Sequence, residues 1–389
     1  MAMPAAAPVA GAQQRVAFVC PPGAPLQQMR DVLVREIVAR HHRVLVVAPE
    51  FRDDDVRGLD AIGAEHALCA PDANGFKLFS DWKAIGGLRQ VLTAWSPQQV
   101  VACGAKTMIY GALAAKSAGA ERVVLVVDAL PEHRFSGALA ADEMPAWRYG
   151  QALRAADEAV FQNRDDLALL KKLALVPEGL PVAIVPGAGV ETESRPVLPL
   201  PAIGQGLVFL MIASRERRRG VMEYCAAATA LRRRAPTSRF LFASLPAESS
   251  VAITAVELAQ HPDVEYLGEA IDHSAALEQC HVFVYPSCAE GMPQPLLQAM
   301  TAGRPIVTTN IAGCRDTVDE RVNGCFVAPR DADALADAME SYLKRPDLIP
   351  AMARASRAKA ERFGTAASVR RTMLELLRLE SPVGRQWSA

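Results

Sequence analysis

Arg15-Val16-Ala17-Phe18-Val19-Cys20, then Pro21-Pro22-Gly23-Ala24-Pro25, then an amphipathic stretch from Leu26 to Arg40, then Val44-Leu45-Val46-Val47-Ala48: this order reads as buried strand, turn, helix and returning parallel strand. The same alternation continues outward. Short β-branched runs recur at Val100 to Cys103, Val123 to Val127, Ala159 to Gln162 and Ala183 to Val185, each closed by a polar or Gly/Pro turn. A second cycle opens at Leu207 to Ala213, with a helix from Val221 to Arg234 and strands at Phe240 to Ala243, Val264 to Leu267 and Val282 to Tyr285. Between the cycles lies Glu191 to Gln205, where Pro196, Pro199 and Pro201 disfavour helix and central strand alike. The fold class is therefore α/β, with two doubly wound, Rossmann-like lobes facing across a cleft. The expected divisions are a loose tail at 1–13, a first lobe at 14–195, a linker at 196–206 and a second lobe at 207–365. Residues 366–389 form a final helix crossing back to the first lobe, with a tail. In such folds ligands bind at the carboxyl ends of the strands, so the loops after strands are where function is sought.

Composition narrows the classes of function. The 389 residues carry 42 Lys and Arg against 43 Asp and Glu, so no global field argues for nucleic acid as a partner. Hydrophobic residues at 51% and charged residues at 22% are those of a globular chain, and no apolar run reaches the length of a membrane span. Eight scattered cysteines without a Cys-x-x-Cys pair read as reduced buried thiols rather than a disulfide frame or zinc site. The opening Met-Ala-Met-Pro-Ala-Ala-Ala-Pro lacks the basic and apolar parts of a secretion signal, and the expected location is cytoplasmic, at the inner face of the membrane if anchored at all. No histidine pair has metal-ligand spacing, no Gly-x-Gly-x-x-Gly follows the first strand, and the P-loop pattern is absent.

The stretch richest in chemistry is Tyr285-Pro286-Ser287-Cys288-Ala289-Glu290-Gly291-Met292-Pro293-Gln294-Pro295-Leu296-Leu297-Gln298-Ala299-Met300, followed by Ala302-Gly303-Arg304-Pro305-Ile306-Val307-Thr308-Thr309. A strand ends at Tyr285, a carboxylate hangs in the next loop, Gly291 admits close backbone approach, and Pro295 is placed to open a helix. Free amides at that helix start suit phosphate or sugar oxygens, and a carboxylate beside them suits sugar hydroxyls. Taken alone, Gln298 is an ordinary helix residue. The run Arg215-Glu216-Arg217-Arg218-Arg219 reads either as a solvated turn or, after a strand at the cleft, as a phosphate site. Phe76 to Leu92, basic and aromatic, reads as a first-lobe helix with its apolar face inward or as a membrane-surface contact.

These stretches resemble the family 4 retaining glycosyltransferases of the GT-B fold, closest to the branch that extends lipid-linked glycans in bacteria. The resemblance also takes in Ala102 to Gly111, Val160 to Asp166, Val185 to Glu191, Thr309 to Val318 and Val322 to Val327. It implies that the first lobe takes the acceptor and the second a nucleotide-sugar. Glu290 stands where the family has the carboxylate that contacts the donor sugar, and Gln298 where it has a second Glu on the ribose. Arg219 falls on a diphosphate-binding Lys and Ser214 on its companion Arg, with the neighbours Arg215, Arg217 and Arg218 as substitute cations. Gly291, Met292, Pro293 and Leu297 complete the implied donor site. Gly23, Lys106, Asp128 and His133 fall on the acceptor side.

The implied reaction moves a hexosyl residue from a UDP-sugar to a glycan or lipid-linked glycan acceptor, with retention, in surface polysaccharide assembly. No metal and no cofactor is implied. A second reading, weighed against it because of Ser214 and Gln298, is a catalytically degenerate binding subunit among the partner proteins of a polysaccharide assembly complex.

Overall fold

The computed structural model describes residues 13–21, 30–69, 78–127, 130, 145–192, 195–204, 206–246, 252–269 and 273–380. Gly23, Asp128 and His133 lie outside the described residues, as do Phe76 and Lys77.

The first sheet is built from β1 (Arg15–Val19), β2 (Arg43–Ala48), β3 (Glu65–Leu68), β4 (Gln99–Cys103), β5 (Arg122–Val127), β6 (Glu158–Phe161) and β7 (Val182–Ile184). It is parallel throughout, in the order β3-β2-β1-β4-β5-β6-β7. Alternate residues of one strand enter different cores. Ala17, Val19, Leu45, Val47, Val100 and Ala102 pack on one face, and Val16, Phe18, Val44, Val46, Val101 and Cys103 on the other. Burial on both faces is why these strands read as unbroken apolar runs.

The second sheet comprises β8 (Val208–Ser214), β9 (Arg239–Leu245), β10 (Val264–Glu269), β11 (Val282–Tyr285), β12 (Ile306–Thr309) and β13 (Gly324–Val327). Its order is β10-β9-β8-β11-β12-β13, again parallel. Strand order reverses between β1 and β4 in one sheet and between β8 and β11 in the other, and those are the switch points where crevices open.

Several details differ from the sequence reading. β3, β12 and β13 have no counterpart among the strands expected from it. β3 and β13 are edge strands, and β3 is largely exposed, so neither needs the apolar run that betrays a central strand. The first helix, expected as one element to Arg40, begins among the described residues with a π-helical turn at Arg30–Val34 and becomes α-helical only at Arg35–Ala39. In the helix Leu78–Trp95, Ala84, Leu88 and Leu92 are buried against the sheet while Trp82 stays exposed.

The connection from β7 to β8 is pinned to the second lobe. Arg304, fully buried, donates from Nη1 to the Leu198 carbonyl at 2.9 Å, from Nη2 to that of Pro199 at 2.8 Å and from Nε to that of Leu277 at 3.0 Å. The chain returns to the first lobe beside it. Val190 N donates to Gly364 O at 3.0 Å and Ala366 N to Val190 O at 2.9 Å, and the helix Ala366–Leu376 then buries Val369, Met373, Leu374 and Leu376 in the core that holds Phe18. Gln99 and Arg122 tie its end by donating to the Leu377 and Leu376 carbonyls at 2.7 and 3.0 Å.

Candidate active site

Two loops meet at the β8/β11 switch point. After β8, a 3-10 turn at Arg217–Arg219 leads to Gly220, whose φ of +77° caps the turn and opens the helix Val221–Arg232. After β11, Pro286 to Pro293 leads into the helix Gln294–Thr301, with Pro295 in its first turn. The loops are stitched together by Cys288 N donating to Arg218 O at 2.8 Å, with Ser287 Oγ 3.2 Å from the same carbonyl.

This stitching brings Arg219 onto Glu290, 71 residues further along the chain. Arg219 Nη1 pairs with Glu290 Oε1, both side chains being buried, and Arg219 Nε reaches Ser214 Oγ at 3.3 Å. The same Oε1 accepts from Tyr285 Oη at 2.8 Å and from Ser287 Oγ at 2.7 Å. Three protein donors thus converge on the one oxygen Oε1.

Burial pushes the Glu290 carboxyl upward, but the Arg219 charge and hydrogen bond, the Ser287 hydroxyl and the Arg218 charge outweigh it, and the pKa lies below the ordinary 4.5. Burial and the neighbouring Glu290 push the Tyr285 phenol well above 10, keeping it a donor. A carboxyl whose folded pKa is depressed contributes stability that is whole above the unfolded value and lost as pH falls through the folded one. The gap in urea midpoint between the wild type and Glu290→Gln is therefore expected to stay constant above pH 4.5 and to narrow below it. Paired urea titrations across that range check this.

Two other arginines of the run point elsewhere, while Arg218 lies close enough for its charge to act on Glu290. Arg215 Nη1 donates to Ile253 O at 3.2 Å, and Arg217 pairs with Glu257 at 2.6 Å. The sequence reading of Arg215 as a substitute cation therefore has no support in this geometry, because its guanidinium is drawn to the loop after β9. Ser214 ends β8, buried beneath Arg219.

On the helix side, Leu297 is buried and Gln298 Oε1 lies 2.9 Å from His273 Nδ1. Pro293 caps the helix, and Met292 lines an apolar cavity of about 130 Å³ with Phe18, Val101, Val126 and Met373. Lys106 belongs to the first lobe, in the first turn of the helix Ala105–Ser117 that follows β4.

Sequence reasoning assigned no role to three groups here. Tyr285 and Ser287 were quoted only as context for Glu290, yet both bond it. Gln294, whose Nε2 is buried without a hydrogen-bond partner among the described residues, lies against Gly187 of the first lobe. Its signal was only a polar residue in an apolar helix start.

Residues 206–345 match the family described as Glycosyl transferases group 1. The chain is 22% identical over 342 residues to an N,N'-diacetylbacillosaminyl-diphospho-undecaprenol alpha-1,3-N-acetylgalactosaminyltransferase of Campylobacter jejuni, covering 85% of this chain and 89% of that one. In structure it is similar to the Anabaena HepE protein in complex with UDP-glucose, with a TM-score of 0.73 at 14% identity over 95% of this chain and 100% of that one. A sucrose-phosphate synthase from Thermosynechococcus elongatus superposes with a TM-score of 0.72 at 16% identity, over 94% of this chain and 99% of that one. The fold is the GT-B arrangement of glycosyltransferases.

Proposed function

We propose that the chain is a glycosyltransferase that moves a hexosyl residue, with retention, from a UDP-sugar held against the second lobe to a glycan acceptor presented by the first. The observation that carries this reading is the buried Arg219–Glu290 pair at the switch point. The family match over the second lobe, the UDP-glucose bound by the Anabaena protein and the lipid-diphosphate glycan named for the Campylobacter relative support it.

In this reading Glu290 Oε2 accepts from a hydroxyl of the donor sugar while its other oxygen stays locked. Arg219 and the free amides opening the helix Gln294–Thr301 take the charge of the departing diphosphate in place of a metal. The bond from the acceptor oxygen to C1 forms as the bond from C1 to the phosphate oxygen breaks, and the acceptor proton leaves on the diphosphate. Gln298, beside His273, contacts the ribose, where an amide offers one acceptor in place of a carboxylate's two. Gln298→Glu is expected to tighten UDP binding by about five- to tenfold, roughly the gain from a charge-assisted hydrogen bond, as calorimetry would register.

No described helix is long and apolar enough to cross a membrane. A lipid-linked acceptor would therefore meet the described part of the chain at the membrane face. The second reading, a binding subunit that has lost catalysis, draws on Ser214 and on Arg215 and Arg217 being engaged elsewhere. Incubation with UDP-hexoses and a lipid-diphosphate-linked acceptor, followed by NMR of the product, separates the two. Transfer with the donor's anomeric configuration is the expected result. An inverted product would overturn retention, and no transfer from any donor by folded protein would favour the binding subunit.

A further inference from the structure

Asn163 follows β6 in the first lobe, is fully buried, and reaches the second lobe. Its Oδ1 caps the helix Arg164–Lys172 by accepting from Asp166 N at 2.8 Å, which fixes which end of the amide is which. The Nδ2 then donates to Asp166 Oδ2 at 2.8 Å and to the carbonyl of Gly291 at 2.9 Å, 128 residues away. Both amide protons and the acceptor are thereby used, and no other side chain of this size offers one acceptor and two donors.

The bonded carbonyl belongs to the residue after Glu290. The described chain contains no cis peptide, so the Gly291 carbonyl and the Met292 N–H point in opposite directions within one rigid plane. Holding the carbonyl at Asn163 therefore turns the Met292 amide away from the first lobe. The other side of that carbonyl is closed by Gly313, at a φ of +77°, where a Cβ would lie 2.2 Å from Gly291 O. Beside this contact Asp165 pairs with Arg315 at 2.5 Å, again from one lobe to the other.

We propose that Asn163 is a positioning residue: from the first lobe it sets the Gly291–Met292 peptide, and with it the loop that carries Glu290, for the sugar of the donor. This rests on the glycosyltransferase reading above. The nucleotide, bound by the second lobe, does not depend on it.

Asn163→Ser keeps an oxygen for the helix cap and removes the donor to Gly291. The expected result has three parts. UDP affinity stays within twofold of the wild type, kcat for sugar transfer falls by about 10- to 100-fold through loss of alignment, and amide hydrogen exchange accelerates in 288–293 but not in 164–172. The comparison variant is Asp165→Ala, which removes the exposed ion pair at the same junction and is expected to leave exchange in 288–293 unchanged.

Exchange unchanged in Asn163→Ser, or Asp165→Ala matching Asn163→Ser in both exchange and kcat, would overturn the proposal, the latter by making general contact between the lobes the cause. A wild type that transfers no sugar would instead sink the glycosyltransferase reading, while the exchange comparison still decides whether Asn163 sets the loop.

Discussion

Arg219→Ala is expected to lower kcat for sugar transfer by about 10²- to 10³-fold, the loss typical of removing one preorganised donor from a developing anion. Arg215 and Arg217 cannot compensate, since one is bound to the Ile253 carbonyl and the other to Glu257. The variant also strips Glu290 of its direct ion-pair partner, leaving only the weaker Arg218 charge nearby. Tyr285 and Ser287 still donate to Oε1, but burial then dominates, and breaking such a pair costs about 3–5 kcal/mol when the remaining charge has no other partner. Arg219→Lys separates the two effects. It keeps a cation against Glu290, and with it most of the stability, while losing the planar fork that grips phosphate, so kcat should fall without a matching drop in melting temperature. Steady-state kinetics beside thermal melts of both variants test this.

Gly220→Ala carries a cost in stability of the same order. At a φ of +77° an alanine is strained, and its Cβ would lie 2.1 Å from the carbonyl oxygen of Pro286. That oxygen belongs to backbone, at the point where the two loops of the site cross. Strain of about 1–3 kcal/mol and overpacking of about 1–3 kcal/mol both apply. Gly119 provides the contrast, with a φ of +81° and open space for 4 Å around the point where a Cβ would stand, so Gly119→Ala carries only the conformational cost of about 1–2 kcal/mol. Urea unfolding should find Gly220→Ala the less stable of the two by the steric difference. Equal losses would mean that the loops around Pro286 can move apart freely, and the rigid site described above would not exist.

The parallel sheets were legible because β1, β2, β4, β5 and β8 are buried on both faces, which forces continuous Val, Ile, Leu, Ala and Phe. The edge strands β3 and β13 and the buried β12 were not, although the edges β7 and β10 were. β3 reads Glu65-His66-Ala67-Leu68, and nothing in it demands an apolar core. The loop bearing Glu290 was legible as strand, loop and helix in sequence order. Arg219 was singled out of the 215–219 run by the resemblance alone; what holds it against Glu290, a left-handed Gly220 and the backbone bond from Cys288 to Arg218, was not legible. Asn163 is the extreme case. Its local pattern announces a helix cap, but its bond to Gly291 exists only once two lobes have met.

The central claim is that Arg219 and Glu290 form a donor site for a nucleotide-sugar. It is tested most directly by calorimetric titration of the full chain with UDP, other nucleoside diphosphates and their sugar conjugates, repeated on Arg219→Ala and Glu290→Gln. The account predicts that UDP and a UDP-sugar bind the wild type, that Arg219→Ala weakens both, and that Glu290→Gln weakens the UDP-sugar while leaving UDP nearly unchanged. Binding to no nucleotide by folded protein, or affinities that neither substitution alters, would contradict it.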